Sequence, residues 1–402
     1  MRGAQRLIVV DPALQGLSGH HFNYNLALAE EATRRAVPHL VLSNQRVAAP
    51  ALETDLALMP AFQATPYVNL QHLTQHEYDA YVVRRLEEGL TPILADGDLV
   101  VFHSLTQANV EGVGLWLARH HPRRAMMAVV LFMFVDYLDF PDEVENAAAG
   151  RYRRFFRHCR DLPPERLVLA AEHHEIAADM AAFSGHTRSV GEAPHLKPAA
   201  FLGGLPREAP SGRAEPRRIV YLGHFFESRG ADLLDEAVAR VAARRPGAAV
   251  FDIQINATAS GMDADRVEAV RQALAARDSV TVHEGPLSTE TFYAILGVAD
   301  IVVMPYTGYY RRAGAGLFYE TLALGRVGIV PAASYMAREN AWLEGGMVPM
   351  AEHSAEALAD AMVHALDHFD SLRAQARQAG AVWAAAHSTA AFFDGLLPAP
   401  AE

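Results

Sequence analysis

The feature that most constrains this chain is a series of short, unbroken apolar runs with helical stretches between them. The first, Arg6-Leu-Ile-Val-Val-Asp11, lacks the polar alternation of a half-exposed strand, as expected for a parallel strand buried on both faces. A loop, Gln15-Gly-Leu-Ser-Gly-His-His21, leads into a helical stretch from Asn23 to Arg35, with apolar residues at 26, 27, 29 and 32. A second strand, His39-Leu-Val-Leu-Ser43, completes a β-α-β unit. Further strands are predicted at Leu99-Val-Val-Phe-His103, Met127 to Phe134 and Arg166-Leu-Val-Leu-Ala170, again with helical segments between them. Such alternation is the signature of a doubly wound α/β domain.

From Gly203 to Arg217 the composition shifts to Gly, Pro and polar residues, which reads as a linker. The pattern then restarts. Arg218-Ile-Val-Tyr-Leu-Gly223 is a strand and Ala231 to Ala243 a helix; strands follow at Val250 to Ile255, Val280 to His283, Ile301-Val-Val-Met-Pro305 and Gly328-Ile-Val-Pro331. A chain of 402 residues, 51% hydrophobic and 20% charged, can bury two cores. The expected organisation is therefore α/β: a Rossmann-like domain over 1–205, a linker over 206–217, a second Rossmann-like domain over 218–382 and a helical segment over 383–402. Two such domains in series predict a ligand cleft at the C-terminal ends of both sheets.

Charge and cysteine content exclude several classes. A net charge of −12 argues against nucleic acid, whose phosphates require clustered positive charge. With Cys159 as the only cysteine there is no disulfide framework and no thiolate metal site. Lys197, the sole lysine, lies in the loop-like His-Leu-Lys-Pro, a poor context for a Schiff base to pyridoxal phosphate. The longest apolar stretch, Ala125 to Val135, is too short to span a bilayer, and the N-terminal run is too short for a signal peptide. A cytoplasmic protein without a transmembrane segment is expected. Arg151-Tyr-Arg-Arg-Phe-Phe-Arg-His-Cys-Arg160 leaves room for peripheral membrane contact, but its favoured reading is a solvated face with Tyr152, Phe155, Phe156 and Cys159 turned inward.

The strongest chemical signal runs from Ala299-Asp-Ile-Val-Val-Met-Pro-Tyr306 through Arg311-Arg-Ala-Gly-Ala-Gly-Leu-Phe-Tyr-Glu320 to Pro331. It reads as strand, Gly-rich loop, helix starting near Ala315, Gly stop at 325 and strand. Small residues at 313–316 let a diphosphate approach the amides of a helix N-terminus, where the macrodipole favours anions. Glu320, about one turn into that helix, is placed to accept hydrogen bonds from ribose hydroxyls.

This stretch resembles the donor-binding segment of the GT4-like retaining glycosyltransferases (glycosyltransferase group 1), and the resemblance extends over the C-terminal half. Gly223-His-Phe-Phe-Glu-Ser-Arg-Gly230 is similar to the family's Gly-rich turn, in which a basic residue binds the diphosphate, here Arg229. His283-Glu-Gly-Pro-Leu-Ser288 is similar to the segment whose backbone brackets the nucleobase. The resemblance thus implies a donor site of Gly19, Gly223, His224, Arg229, Glu284, Gly285, Pro286, Leu287, Gly314, Ala315, Gly316, Leu317, Phe318 and Glu320. It implies the GT-B architecture, with two Rossmann-like domains facing across the cleft, no metal and no cofactor beyond the nucleotide sugar. One departure stands out: the first acid of the family's Glu-x7-Glu falls at position 312, which is Arg here. Arg312 is expected to contact the donor phosphates or an unusual donor sugar, and the departure leaves the donor sugar open.

In the N-terminal half, Gly16-Leu-Ser-Gly19 with His20 and His21 resembles the family's first-strand glycine loop, and His103 matches a position where the family often carries a cleft histidine. An imidazole there can orient or deprotonate an acceptor hydroxyl. The implied catalytic set is His103, His20, Arg229 and Arg312. Asp96-Gly-Asp98 and Asp263-Ala-Asp265 match a metal-binding Asp-x-Asp string, yet they sit at a turn and a helix start, where Asp is a good cap. The adjacent pairs His120-His121 and His173-His174 lack the i, i+4 spacing of a helical zinc site. The implied reaction is transfer of a sugar, with retention, from a nucleotide diphosphate sugar to a glycan, lipid-linked or small-molecule acceptor. The alternatives are a nucleotide-sugar epimerase of the same fold and a catalytically silent nucleotide-sugar-binding subunit.

Overall fold

The computed structural model describes residues 6–16, 19–47, 56–67, 74–124, 126–132, 142–193, 196, 216–257 and 262–396. The chain forms two compact units, Met1–Ala199 with His387–Glu402, and Ala200–Ala386. Lys197 and most of the expected linker, 206–215, lie outside the described residues.

Unit 1 holds strands β1 (Leu7–Val10), β2 (His39–Asn44), β3 (Leu58–Phe62), β4 (Leu99–Leu105), β5 (Met127–Phe132), β6 (Leu167–Ala171) and β7 (Gly191–Glu192). They form a parallel sheet in the order β3-β2-β1-β4-β5-β6-β7. Between them run α1 (Gly19–Arg34), α2 (Gln75–Gly89), α3 (Val110–His120), α4 (Asp142–His158) and α5 (His174–Phe183). Alternate strand residues serve opposite faces. Ile8, Val10, Val100 and Phe102 pack with Tyr78 and Val82 of α2, Trp116 of α3 and Phe155 of α4. Leu7, Val9, Leu99 and Val101 pack with Ala27 and Leu28 of α1. Each large side chain buried this way contributes about 1.5–3 kcal/mol. A capping box starts α2: Thr74 accepts from the Glu77 amide while Glu77 accepts from the Thr74 amide.

Unit 2 repeats the architecture with β8 (Arg217–Tyr221), β9 (Ala249–Ile255), β10 (Val280–Glu284), β11 (Ile301–Val303), β12 (Val327–Pro331) and β13 (Met347–Met350). These pair in parallel as β10-β9-β8-β11-β12-β13. Its helices are α6 (Leu234–Arg244), α7 (Ala264–Ala275), α8 (Thr289–Val298), α9 (Gly316–Ala323), α10 (Tyr335–Trp342), α11 (Ala355–Asp367) and α12 (Phe369–Ala386). Ile219, Tyr221, Ile301 and Val303 face α6 and α11, whereas Val220, Val302 and Met304 face α8 and α9.

Several elements differ from the sequence expectation. β3 and β13 were not foreseen; they carry Pro60 and Pro349, residues tolerated at a sheet edge, where β13 lies and β3 likewise. The first helix begins at Gly19, a turn earlier than its apolar pattern suggests; its polar residues His21, Asn23 and Asn25 are buried, and His21 and Asn25 bond Asp11, as described below. The last helical stretch is broken: Trp383 belongs to α12 and stacks on Tyr319 in unit 2, with ring centroids 5.7 Å apart. A separate helix, α13 (Thr389–Leu396), packs in unit 1, where Phe392 and Phe393 are buried and Asp394 pairs with Arg35 at 2.7 Å. Arg217, placed in the linker by composition, is the first residue of β8. Among the described residues no helix is long and apolar enough to cross a membrane.

Candidate functional site

In an open parallel sheet, ligand chemistry gathers at the C-terminal strand ends where the strand order reverses. In unit 2 that point lies between β8 and β11. The turn after β8 carries Gly223 at φ +108°, a conformation L side chains rarely adopt, and a Cβ there would sit 2.8 Å from Nη1 of Arg229. The backbone of this turn and the guanidinium therefore lie against each other only because residue 223 has no side chain. Gln254, near the end of β9, ties the turn to its neighbour: its carbonyl accepts from the Gly223 amide at 2.8 Å, and its amide donates to the Gly285 carbonyl at 2.9 Å.

Arg229 is half-buried, with its guanidinium 5.2 Å from the ring centre of Tyr306, 5.7 Å from that of Tyr310 and 5.9 Å from that of Phe226. Nη2 donates to the Tyr310 hydroxyl at 2.8 Å. Among the described residues no carboxylate pairs with it. Burial opposes its charge, and the surrounding tyrosines outweigh that effect, so its pKa is raised. His224 is exposed and stacks on Phe226; burial and then the Arg229 charge lower its pKa, which favours a neutral imidazole. The Thr307 amide donates to the Ser228 carbonyl at 2.8 Å, bringing the loop after β11 onto the loop after β8.

That second loop leads through Arg312, half-buried, to Gly314, Ala315 and the start of α9 at Gly316. A Cβ on Gly314 would lie 1.9 Å from the Tyr319 hydroxyl, so the loop lies flat on the first turn of the helix. No side chain caps α9, which leaves its first amides, Gly316 to Phe318, to a ligand or water. Gly316 is exposed, while Leu317 and Phe318 are buried. Glu320 is buried and accepts from the Tyr293 hydroxyl at 2.9 Å. Glu284 points away from this group, exposed and 3.4 Å from Arg271; Pro286 is exposed and Leu287 half-buried. The structure thus brings Gly223, Arg229, Gly285 and the Gly314–Gly316 loop into one set of linked loops. Gln254, Tyr306 and Tyr310 complete it, and the sequence reading had missed all three. Tyr306 and Tyr310 were legible as aromatics flanking the Gly-rich loop, whereas Gln254 sits in a strand with no local signal.

Unit 1 has its reversal between β1 and β4. Asp11, fully buried just after β1, collects three donors on one oxygen: Asn25 Nδ2 at 2.7 Å, and the Nδ1 atoms of His21 at 3.0 Å and His103 at 3.3 Å. Its other oxygen accepts from the Ala13 amide at 3.1 Å. Burial pushes the Asp11 pKa up, but the two histidines outweigh it and hold the carboxylate well below its usual range. β4 runs on past His103, and its pairing with β5 shifts register between Phe102 and Leu105, beside this side chain. His103 is buried beneath Tyr24, ring centres 4.2 Å apart, while Gly19 and His20 are exposed and the His20 ring lies 4.0 Å from that of His21.

Burial lowers the His103 pKa below its usual 6.5 even though Asp11 pulls the other way. A group with a depressed pKa binds its proton less well folded than unfolded. Its contribution is present above the unfolded value and lost as pH falls through it. Urea midpoints should therefore decline below about pH 6.5, with a slope of at most about 1.4 kcal/mol per pH unit from this residue, and His103→Asn should flatten that decline.

Three residues of the set-aside motifs have structural partners. Asp263 caps α7, accepting from the amides of Asp265 and Arg266. Asp98 is buried and holds Arg6 and the Ala95 amide. His121 is buried, its Nε2 on the Arg166 carbonyl at 2.9 Å.

No protein-family model matches the chain, and no curated protein sequence matches it. Solved structures do. Anabaena Alr3699/HepE, in complex with UDP, is similar at a TM-score of 0.62 and 12% identity, over 97% of this chain and 98% of that one. Sucrose-phosphate synthase from Thermosynechococcus elongatus is similar at 0.62 and 14%, over 98% and 97%. The catalytic domain of starch synthase IV from Arabidopsis thaliana, bound to ADP and acarbose, is similar at 0.61 and 9%, over 98% of each chain. The chain has the fold these share: GT-B, built of two Rossmann-like units.

Proposed function

We propose that this protein is a glycosyltransferase that takes a sugar from a nucleoside diphosphate sugar held on unit 2 and passes it to a hydroxyl acceptor. The observation that carries the reading is Arg229: a half-buried guanidinium without a carboxylate partner among the described residues, packed on the Gly223 turn and linked to the loop that opens the uncapped α9. A half-buried, unpaired cation is costly unless an anion completes it. A diphosphate fits that need, and the two Gly-rich segments let its oxygens reach backbone amides.

As the glycosidic bond breaks, negative charge grows on the departing diphosphate. Arg229 and the amides of Gly316 to Phe318 are placed to stabilise it, which is electrostatic catalysis by preorganised donors. Arg312, on the loop ahead of α9, adds a second cation to the same group. The proposal includes retention of the anomeric configuration and no metal or other cofactor, both supported by the motif resemblance over residues 223–331. Two of the solved structures of the same fold hold UDP or ADP, which favours a uridine or adenosine diphosphate donor.

A thermal-shift screen of UDP-, GDP-, dTDP- and ADP-glucose, with the bare diphosphates as controls, tests this. A ligand at a hundred times its Kd stabilises by about 2.7 kcal/mol, so one base series should raise the melting temperature by several degrees, with EDTA present or absent. No shift with any of them would overturn the reading.

A further inference from the structure

We propose that unit 2 carries a second anion site, at the N-terminal ends of its strands, where Arg217, Arg373 and Arg377, above the buried Arg326, bind a phosphate dianion, free or as the monoester of a small molecule. The donor loops lie at the opposite ends of the same strands, about 15 Å away, so this inference stands apart from the glycosyl-transfer reading.

The arginines come from three elements. Arg217 opens β8, Arg326 stands just before β12, and Arg373 and Arg377 lie one turn apart on α12. Two glycines bring these elements together. A Cβ on Gly325 would lie 3.0 Å from Arg377 Cα, and one on Gly380 would meet the Leu322 carbonyl, so α12 rests directly on the turn that leads into β12. The buried Phe369 gathers the outer side: its ring centre is 4.1 Å from Arg217 Cζ and 5.6 Å from Arg373 Cζ. Arg326 is buried and donates to the Gly297 carbonyl, in the last turn of α8, at 2.6 Å. The Arg217 and Arg373 side chains are 16% and 14% exposed, and Arg377 is open to solvent. The group therefore grades from interior to surface, and a ligand can reach its outer three members.

The charge of this group is not balanced among the described residues. The carboxylates that act on it are Asp300 and Asp370. Asp300 is buried, but its Oδ2 accepts from the Arg218 amide at 2.8 Å, and its Oδ1 is 3.7 Å from Arg373 Nη1, too far for a hydrogen bond. Asp370 lies 3.4 Å from Arg217 with a side chain 93% exposed, where water screens it. Burial and then the Arg373 charge lower the Arg326 pKa to about 10, although Asp300 pulls the other way. Burial and then the Arg377 charge lower that of Arg373. Each guanidinium weakens its neighbour's hold on a proton, as like charges do when counter-charge is short. The pair Arg373 and Arg377, at i, i+4, also works against α12 itself. This excess sits in a chain of net charge −12. An anion completes the group, and guanidinium forks hold phosphate oxygens two at a time. Three of them suit a tetrahedral dianion better than a single planar carboxylate.

The test follows the melting temperature of the full chain against sodium phosphate, with sodium chloride at equal ionic strength as control. Because phosphate can also enter the Gly223 turn, the measurement is repeated in Arg229→Ala. At ten times its Kd, phosphate should raise the melting temperature by about 2–4 °C. The shift should persist in Arg229→Ala and vanish in the double variant Arg373→Gln with Arg377→Gln. Arg377→Glu alters a single exposed side chain and carries the test if the double variant does not fold; it should weaken phosphate at least about tenfold. A parallel titration with 2-glycerophosphate tells the two sources apart. A shift of equal or greater size assigns the site to phosphate monoesters, and a shift with inorganic phosphate alone assigns it to the free ion. A shift that chloride reproduces, or that Arg229→Ala abolishes, overturns the site. So does an affinity left unchanged by Arg377→Glu, or no shift with either phosphate.

Discussion

Arg229→Ala should weaken nucleoside diphosphate binding by at least about a hundredfold, roughly 2.7 kcal/mol, while leaving the unliganded protein folded. The size follows from the ligand: each hydrogen bond between a guanidinium and an anionic oxygen contributes about 1.5–3 kcal/mol, and among the described residues Arg229 has no carboxylate to share it with. The modest cost to folding follows from the environment. Among the described residues the side chain makes one hydrogen bond, to Tyr310, and otherwise lies on aromatic faces that can close up around alanine. Arg229→Lys should recover only part of the affinity, because an ammonium cannot span two oxygens and stack on the rings at once. Isothermal titration with the diphosphate that scores in the thermal screen checks both. Unchanged affinity in Arg229→Ala would remove the donor site from this part of unit 2.

Asp79→Ala should destabilise unit 1 by about 3–5 kcal/mol, measured as a loss in the urea midpoint. Asp79 on α2 and Arg151 on α4 are both buried and pair at 2.8 Å; Arg151 also donates to the Ala108 carbonyl at 3.0 Å and lies 3.5 Å from Glu111 on α3. Burial is the main influence on Asp79 and raises its pKa, with Arg151 pulling it back. The pair is therefore sustained by mutual compensation, and removing Asp79 leaves Arg151 a partly stranded charge, with only the longer contact to Glu111. Asp79→Leu combined with Arg151→Met should restore most of the loss, since an apolar pair of similar volume avoids desolvating either ion. Equal losses in the single and double variants would show that the ion pair itself, and not the stranded charge, governs the cost.

The contrast between these two arginines explains how far the sequence could be read. Arg229 lies in a compact segment in which glycines, a basic residue and a strand end fall within a few positions, so its chemistry is local and visible. Arg151 lies in a run of basic and aromatic residues whose amphipathic pattern turns Tyr152, Phe155, Phe156 and Cys159 inward, and all four are buried. The same pattern assigns Arg151 to the solvated face. Its carboxylate partner is on a different helix, and no periodicity within α4 can reveal that. The same limit applies in unit 1. His103 was legible as a polar residue in an apolar strand, whereas Asp11 was read only as the end of the first strand and given no role. Their convergence with His21 depends on β1 and β4 pairing in register, Val10 beside Phe102, which strand patterns alone leave open. The strands and central helices were legible because continuous apolar runs and 3.6-residue periods report burial directly; β3 and β13, with prolines and partial exposure, carry little of that signal.

The helix α13 has a consequence for how the protein is made. Unit 1 is the first to leave the ribosome, yet Phe392 and Phe393, which fill the side of its core next to α1, are synthesised only after all of unit 2. Until they arrive, the nascent unit carries an apolar trough over Leu28 and Ala32 and an Arg35 without its Asp394. Growth at about 5–20 residues per second keeps that trough open for many seconds, long enough for a holding chaperone to bind. Synthesis of α13 then acts as a latch, completing the core of unit 1 only after unit 2 has been made.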